Sequence, residues 1–499
     1  MLAPWIIEEM KTAALHDDRL NKRLRIVLSQ LAAHPTASIP AACGGNAEMT
    51  AAYRLFDNEK THFDAILQPH IDATRLRIAS QPVVLLVPDT TELDLTRPEQ
   101  QVDGGGPLDG NSRQGVFLHP MHAFTPDGTP LGTVQAIHWA RDPEKPHNAS
   151  RTRGERAATP IEEKESYRWL LSLRQARSEA AQHSKTQIVY VADSEADIYD
   201  LIAEGMEEPR ALDWIVRSCQ NRAVVDDLEE TEAVPDYLRE AILTTPVLYH
   251  KTIEVRGRKA KVACEDRGRR QPRESRDAVV AVRAGRVTLR APERQAGQQP
   301  DITVNAVLVT EVNPPEGDTP VEWLLLTSLT IDTNNEVELV LKYYCIRWMV
   351  EVFFRVLKSG CRVEKRRFEE IDRFLNCLAV YLIVGWRTLY VCRLGRSCPD
   401  VSCEVVFDPA EWQSVYQFVQ RKPPPKRPPT LQMMVRLVAQ LGGYVNRKRE
   451  DEPGPQTVWL GLQRLHDIAR CWMLFGPGGR LPASPASEEG APAGEEEVV

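Results

Sequence analysis

Two short apolar runs constrain the fold of this chain more than any other feature of its sequence. Val83–Val87 and Gln187–Ala192 are apolar almost without interruption, which is typical of strands that are buried on both faces. Helical segments at Tyr167–His183 and Glu195–Glu204 flank the second run, and Trp214–Arg217 follows as a third strand. Strands that alternate with helices in this way predict a mixed α/β sheet covered by helices.

Further strands extend this prediction along the chain. Val116–Thr125 and Leu131–Ala140 are rich in β-forming residues, and the Pro-Asp-Gly between them predicts a hairpin turn. Residues 220–321 alternate in β fashion and carry many arginines, so we expect a β-rich insertion, after which Glu322–Thr327 returns as a strand. This order predicts an α/β fold with a ribonuclease-H-like mixed-sheet core over residues 76–375, interrupted by that insertion.

The remaining segments predict helical domains and a tail. The chain has 499 residues, too many for one ordinary hydrophobic core. Residues 1–75 are helical by pattern and permit a helix-turn-helix-like module, although any small helical subdomain fits equally well. Residues 376–475 predict a second helical region, and 476–499 a disordered acidic tail. The most apolar window, Phe374–Cys392, contains polar residues, and we expect a buried helix there rather than a membrane span.

The net charge of −8 hides an uneven distribution of charge. Five glutamates lie in the acidic tail, whereas residues 251–294 carry fourteen Lys and Arg against six Asp and Glu. Basic segments of this kind are either solvated loops or a surface for a polyanion. The ten cysteines are scattered, with no C-x-x-C pair and no Cys/His cluster at zinc spacing. This usage argues against a zinc module and indicates reduced thiols in a cytosolic protein.

One further segment, Tyr344–Lys358, has the period of an amphipathic helix. At about 100° per residue, Tyr344, Arg347, Glu351 and Lys358 fall on one face, which we expect to look outward, and an apolar stripe on the opposite face would hold the helix to a core. An ordinary surface helix with solvated charges would show the same pattern. The segment alone therefore leaves its role open.

Three acidic residues on adjacent elements point to a metal site. Asp89 follows the first buried strand, Asp193 follows the second, and Glu351 lies on the amphipathic helix. Singly, each has an ordinary explanation as a turn or surface residue. Together they would repel one another, and at least one would be protonated unless a cation compensates. Oxygen ligands without Cys or clustered His favour Mg²⁺ or Mn²⁺ over Zn²⁺, and two such ions can support phosphoryl transfer.

These residues also carry a resemblance to a known family. Tyr344-x2-Arg347-x3-Glu351-x6-Lys358 resembles the Y-R-E-K signature of bacterial DDE transposases of the insertion-sequence-four family, the group of the Tn-five element. The segments that begin at Asp89 and Asp193 resemble the first and second catalytic aspartate segments of that family. The similarity covers nearly the whole chain except the acidic tail, and it extends to Leu15–Leu24, Ala51–Phe56, Asn313–Gly317, Trp323–Thr327 and Leu441–Tyr444.

The resemblance implies a role for each matching residue. Asp89, Asp193 and Glu351 would be the catalytic residues and the ligands of two Mg²⁺ ions, for which Mn²⁺ would substitute. Side chains that would contact DNA are Tyr344, Arg347, Lys358, Trp323, Trp348 and Arg217.

Two of these residues are tryptophans, and two other positions depart from the family pattern. Trp323 matches the tryptophan on which a flipped base stacks, although an ordinary strand-core tryptophan would look the same in sequence. Trp348 matches a tryptophan beside the same pocket. Ser194 and Phe354 stand where arginine and histidine are commoner in the family. Neither is one of the three acidic residues, so the departures bear on DNA contacts rather than on the metal ligands.

The function that the resemblance implies is cut-and-paste DNA transposition. The protein would cleave DNA at inverted-repeat ends, form a hairpin and transfer the strand to a target, working in the bacterial cytoplasm on the nucleoid. Its partners would be double-stranded DNA and a second copy of the chain, bound through residues 376–475, with no membrane partner. Two alternatives are a catalytically silent relative that binds DNA ends and a ribonuclease-H-like nuclease unconnected with mobile elements.

Overall fold

The structure is a computed structural model that describes residues 2–97, 99, 101–109, 112–144, 155, 159–225, 237–255, 257, 274–292, 299–447 and 451–477. The predicted acidic tail and most of the basic stretch near residues 256–273 lie outside the described residues. The described α-helices are α1 Pro4–Glu9, α2 Asp18–Ala33, α3 Ile39–Cys43, α4 Asn46–Phe56, α5 Phe63–Ala79, α6 Tyr167–Gln182, α7 Tyr199–Gly205, α8 Leu238–Leu243, α9 Asn334–Ile346, α10 Trp348–Arg355, α11 Ile371–Ser397, α12 Pro409–Gln420, α13 Leu431–Leu441 and α14 Pro455–Phe475.

The described strands are β1 Val83–Pro88, β2 Thr91–Asp94, β3 Gly106–Pro107, β4 Gln114–Phe124, β5 Pro130–Trp139, β6 Gln187–Ala192, β7 Asp213–Arg217, β8 Val224–Val225, β9 Tyr249–Val255, β10 Arg276–Leu289, β11 Ile302–Glu311 and β12 Glu322–Thr327. Within the described residues they form one sheet in the order β2-β4-β1-β6-β7-β12-β11-β10-β8, with β3 and β5 paired to β4 and β9 paired to β10. The mixed α/β sheet with helical N- and C-terminal regions agrees with the predicted fold class.

The centre of the sheet joins parallel and antiparallel strands. β1, β6 and β7 are parallel to one another, whereas β4 runs antiparallel to β1 and β12 antiparallel to β7. The strands of the predicted insertion continue this sheet, because β11 pairs with β12 and β10 pairs with β11. The carboxyl ends of β1 and β6 consequently lie at the same edge, since the two strands are parallel neighbours.

Alternate residues of the central strands supply two separate cores, one on each face of the sheet. Leu85 and Val87 of β1 pack into the core shared with α9, α10 and α11. Val84 and Leu86 pack into the core shared with α6, α7 and α8. This two-sided burial is the physical reason that β1 and β6 are continuous apolar runs.

The predicted helix at Tyr344–Lys358 is divided in the structure. α9 begins at a capping box in which Thr333 and Glu336 bond each other's backbone N–H, and it ends at Ile346. Arg347 separates it from α10, and a π-helical turn follows at Val356–Gly360. The expectation of one regular helix was therefore wrong at Arg347, where two successive i→i−3 backbone bonds of 3.0 and 3.2 Å replace the regular pattern.

The helical N-terminal region is joined to the core by polar side chains. The amide of Asn376 on α11 donates to the carbonyls of Phe56 and Thr61 at 2.9 and 2.8 Å. The buried guanidinium of Arg366 donates to the carbonyls of Pro35 and Ala37. These bonds satisfy backbone acceptors that burial would otherwise leave unpaired, which explains why residues 1–397 form one compact unit.

Helix α11 crosses the predicted boundary after residue 375. Of the helices in the described residues it alone is long and apolar enough by length and composition to cross a membrane, and 89% of that window is buried inside the fold. The buried helix expected at Phe374–Cys392 is thus present. The second compact unit begins at Cys398 and contains α12, α13 and α14.

Burial of His122 is expected to make the folded state less stable at acid pH. Its ring lies 4.0 Å from the Phe353 ring of α10, and its Nδ1 is 3.1 Å from the Thr133 hydroxyl. Burial, and then the neighbouring His70, lower the pKa of His122 to about 3. Between about pH 6.5 and pH 3 the unfolded chain binds a proton that the folded chain does not, so acidification favours unfolding.

We expect this histidine to contribute a loss of about 1.4 kcal/mol in the free energy of unfolding per unit of pH over that range. Urea unfolding at pH 7, 6 and 5 would measure it, and His122→Leu should show a shallower slope than the wild type. His250→Leu, at an exposed position on β9, serves as the matched control. Equal slopes for the wild type and His122→Leu would refute this account of the buried ring.

Candidate active site

The two aspartates lie directly after neighbouring parallel strands. Asp89 follows β1 and is only 7% exposed, and Asp193 follows β6 as the N-cap of a 3₁₀ turn at Ser194–Ala196. Each carboxylate accepts a bond from a nearby backbone N–H, Asp89 from Thr90 at 2.8 Å and Asp193 from Glu195 at 2.9 Å. Both carboxylates are therefore held by local turns at one edge of the sheet.

Arg347 connects these aspartates to the helix that carries Glu351. Its Nη1 is 3.0 Å from Oδ2 of Asp89. Burial alone would lower the pKa of Arg347, but Asp89, Asp193 and Glu351 are all near enough to raise it overall. The guanidinium therefore bonds Asp89 and lies within electrostatic range of Asp193 and Glu351, and these three residues are here called the acidic cluster.

The electrostatics of Asp89 reveal an excess of negative charge at this cluster. Burial, and then the charge of Asp193, raise the pKa of the Asp89 carboxyl to about 7 against the opposing effect of Arg347. Glu351 raises it further. A single arginine does not neutralise three carboxylates, so a metal-free site keeps one of them prone to protonation.

The donor set fits a hard divalent cation. All three acidic residues offer oxygen ligands, which Mg²⁺ and Mn²⁺ prefer, and Asp193 and Glu351 add to the effect of burial in raising the pKa of Asp89. In the arrangement seen here, no group of three His, Cys, Asp or Glu side chains among the described residues forms a ready metal site. The three residues therefore have the ligand type that Mg²⁺ and Mn²⁺ prefer, but in this arrangement they are not spaced as metal ligands.

Three of the predicted DNA contacts lie next to this cluster. The rings of Trp323 and Tyr344 meet edge-on with centroids 6.0 Å apart. Burial raises the pKa of Tyr344, whereas Arg347 and Arg217 act in the opposite direction. Arg217 also donates to the backbone carbonyl of Glu322 at 3.4 Å. The prediction that Tyr344 faces outward was wrong, because it packs against Trp323 and is only 7% exposed.

Lys358 and Trp348 lie in different surroundings. Lys358 Nζ is 3.8 Å from Glu364 Oε1, and its charged neighbours also include Glu92 and Asp94 of β2. Burial lowers the pKa of Lys358 against these carboxylates. Trp348, by contrast, is 53% exposed. Tyr344 and Arg347 therefore face the acidic cluster, while Lys358 belongs to a second charged group.

The two departures from the family pattern occupy contrasting sites. Ser194 lies in the 3₁₀ turn directly after Asp193 and is partly exposed. Phe354 is 6% exposed and meets Phe353 edge-on with centroids 6.3 Å apart. The phenylalanine is accordingly a core side chain of α10, whereas the serine is in a position to meet a ligand of the cluster.

One residue of the cluster was missed by sequence reasoning. Arg168, in the first turn of α6, donates to Thr90 Oγ1 at 2.9 Å and to Glu195 Oε2 at 2.5 Å. The Thr90 hydroxyl is also 2.9 Å from Nδ1 of His119. A cation in the first turn of a helix opposes the helix dipole, and this unfavourable position was the signal in the sequence.

Three family models match successive parts of the chain. Residues 2–61 match the family model described as Transposase DNA-binding, residues 162–384 match Transposase DDE domain, and residues 383–472 match Transposase Tn5 dimerisation domain. The second range contains Asp193 and Glu351, whereas Asp89 lies before it.

A similarity to a solved structure is weaker. The structure is described as a cryo-EM structure of the piggyBac transposase synaptic complex with hairpin DNA. The identity is 11%, the TM-score is 0.31, and the match covers 66% of this chain. This chain spans about half of that relative, 52% of its length.

Proposed function

Because this chain belongs to the Tn5-like DDE transposases, we propose that it excises and inserts a DNA element by cutting at inverted-repeat ends. The observation that supports the proposal best is that Arg347 bonds Asp89 and lies within electrostatic range of both Asp193 and Glu351. Three acidic side chains of this kind can supply the oxygen ligands of divalent cations, which metal-dependent phosphoryl transfer uses. On this proposal the core is a ribonuclease-H-like domain, with DNA binding by residues 1–75 and dimerisation by residues 376–475.

The three acidic residues would hold divalent cations, with Mg²⁺ as the expected ion. Ions held there would supply the activation of a water or a 3′-hydroxyl for attack on a phosphodiester and would stabilise the leaving oxygen. Arg347 donates to Asp89 and offsets part of the charge that the carboxylates bring together. The backbone N–H groups of Thr90 and Glu195 fix the orientation of the two aspartates.

The aromatic pair beside the cluster suits a hairpin step. A flipped base can stack on Trp323, and stacking of this kind contributes about 1–3 kcal/mol, comparable to the cost of extruding a base. Tyr344 packs edge-on against that ring. Arg217 and Arg347, which lie near Tyr344, would supply positive charge for the adjacent phosphates. Lys358 would meet phosphates further from the cluster, and Trp348 would meet a base on its exposed face.

Replacement of Trp323 is expected to affect hairpin formation but not first-strand nicking. In Trp323→Ala we expect hairpin formation to slow by roughly 5- to 100-fold, as the loss of about 1–3 kcal/mol of stacking implies. First-strand nicking should change by no more than about twofold, because it does not require the flipped base. Single-turnover assays on a labelled end duplex, with Trp323→Phe as the conservative control, would resolve both rates. Equal slowing of both steps would count against base stacking at Trp323.

The experiment that tests the proposed function uses the DNA around the coding region. A duplex that carries the flanking inverted repeat and a duplex with the same bases in scrambled order are incubated with protein and Mg²⁺. We expect nicking at the boundary of the repeat in the first duplex alone. Binding without nicking in any divalent metal would identify a silent relative, and equal nicking of both duplexes would identify a general nuclease.

A further inference from the structure

Arg168 makes the most informative set of contacts near the acidic cluster outside the residues already assigned. Its side chain is 13% exposed and is enclosed by the rings of Trp139 and Trp169, whose centroids lie 5.4 and 5.6 Å from its Cζ. Nε donates to Thr90 Oγ1 at 2.9 Å, Nη2 to Glu195 Oε2 at 2.5 Å, and Nη1 to the Glu165 carbonyl at 2.7 Å. All three nitrogens of the guanidinium thus have a protein partner.

Arg168 bonds the side chains of the two residues whose backbone N–H groups bond the aspartates. The backbone N–H of Thr90 bonds the carboxylate of Asp89, and the backbone N–H of Glu195 bonds the carboxylate of Asp193. One planar group therefore links the turn after β1 to the turn after β6. No other side chain among the described residues is seen to bond both Thr90 and Glu195.

We propose that Arg168 is a positioning residue that fixes the separation and orientation of Asp89 and Asp193 by bridging Thr90 and Glu195. This inference rests on the proposed function for its consequence, but the bridge itself is a property of the protein alone. The fork of an arginine has the span and the fixed geometry to bond two partners at once, which a lysine lacks. Partners one step removed from metal ligands typically affect metal affinity or activity by about 10- to 100-fold.

The first test is amide hydrogen exchange on the protein without DNA or metal. In Arg168→Met, exchange should accelerate at the amides of both Thr90 and Glu195. Thr90→Val should accelerate exchange at position 90 alone, and Glu195→Leu at position 195 alone, because each removes one arm of the bridge. Unchanged exchange at both amides in Arg168→Met would overturn the proposal, whether or not the protein cleaves DNA.

A matched control lies on the same helix. Arg174 of α6 forms a bidentate pair with Glu204, with Nε and Nη2 each 3.0 Å from a carboxylate oxygen, at the surface. Arg174→Met should leave exchange at Thr90 and Glu195 unchanged, and its nicking rate should stay within about twofold of the wild type. Equal effects of the two substitutions would show that Arg168 acts only through general stability of α6, and would also overturn the proposal.

The second test separates bridging from charge. Arg168→Met should slow first-strand nicking by about 10- to 100-fold with end binding retained, and Arg168→Lys should slow it to a similar extent, since a single ammonium group cannot hold both arms. Wild-type rates in Arg168→Lys would show that positive charge alone suffices and that the bridge is not needed. If the proposed function is wrong, the result will be different. The wild type itself will not nick DNA, but faster amide exchange at Thr90 and Glu195 in Arg168→Met will still be observed.

Discussion

Replacement of Asp89 by asparagine is expected to reduce strand cleavage by at least about a thousandfold, since a metal ligand and its ions contribute several kcal/mol to the transition state. Asparagine has the same size and can still accept a bond from Arg347, which lies 3.0 Å away. The substitution also removes a charge that burial and Asp193 oppose. The fold and DNA-end binding should therefore be preserved, with the dissociation constant changed by no more than about twofold.

Gel assays of binding and of nicking on the same labelled end duplex would separate the two effects. Asp193→Asn and Glu351→Gln should behave in the same way as Asp89→Asn, because the three side chains share one cluster. Asp332→Asn, an exposed aspartate just before α9, should match the wild type and serves as the control. Normal nicking by any one of the three cluster variants would remove that residue from the catalytic set.

Truncation after Ser397 is expected to abolish paired-end complexes while single-end binding remains. Residues 1–397 form one compact unit, and the segment that matches the Tn5 dimerisation family lies mostly beyond it. The second unit exposes several large apolar side chains, which are typical of a surface that another protein covers: Val405, Phe418, Val445, Met473 and Phe475. Electrophoretic mobility of one-end and two-end complexes at matched protein concentration would measure the outcome.

The position of this truncation follows from the structure. A cut at residue 376 would remove most of α11, whose side chains fill the core of the first unit, and would unfold the protein rather than test dimerisation. The matched control is a chain that ends at residue 477, which lacks only the predicted acidic tail and should pair two ends normally. A protein of residues 1–397 that still pairs two ends would show that dimerisation does not depend on the second unit.

The elements that the sequence predicted well are those whose pattern is set by local burial. β1 and β6 had to be continuous apolar runs because both of their faces are covered. Because β1 and β6 are parallel neighbours, Asp89 and Asp193, which directly follow them, lie at the same edge of the sheet. The start of α9 was likewise predicted from Thr333 and Glu336, because a capping box depends only on residues close in sequence.

The features that were missed depend on contacts between distant segments. The interruption at Arg347 coincides with its bond to Asp89, a residue 258 positions away. Helical periodicity contains no information about so distant a partner. Tyr344 was expected on an exposed face because its packing partner, Trp323, lies on another element. Arg168 reaches Thr90 across 78 positions. The predicted domain boundary at residue 376 lies within α11, for which the apolar window at Phe374–Cys392 had indicated a core helix.

The central claim is that Asp89, Asp193 and Glu351 share one divalent-metal site, and iron-directed cleavage of the polypeptide tests it most directly. Fe²⁺ in place of Mg²⁺, with ascorbate and peroxide, generates radicals that cut the backbone close to the bound ion. We expect cuts near residues 89, 193 and 351 together, suppressed by excess Mg²⁺ and absent from Asp193→Asn. Cuts at only one of these segments, or cuts elsewhere that Mg²⁺ does not suppress, would contradict a shared metal site.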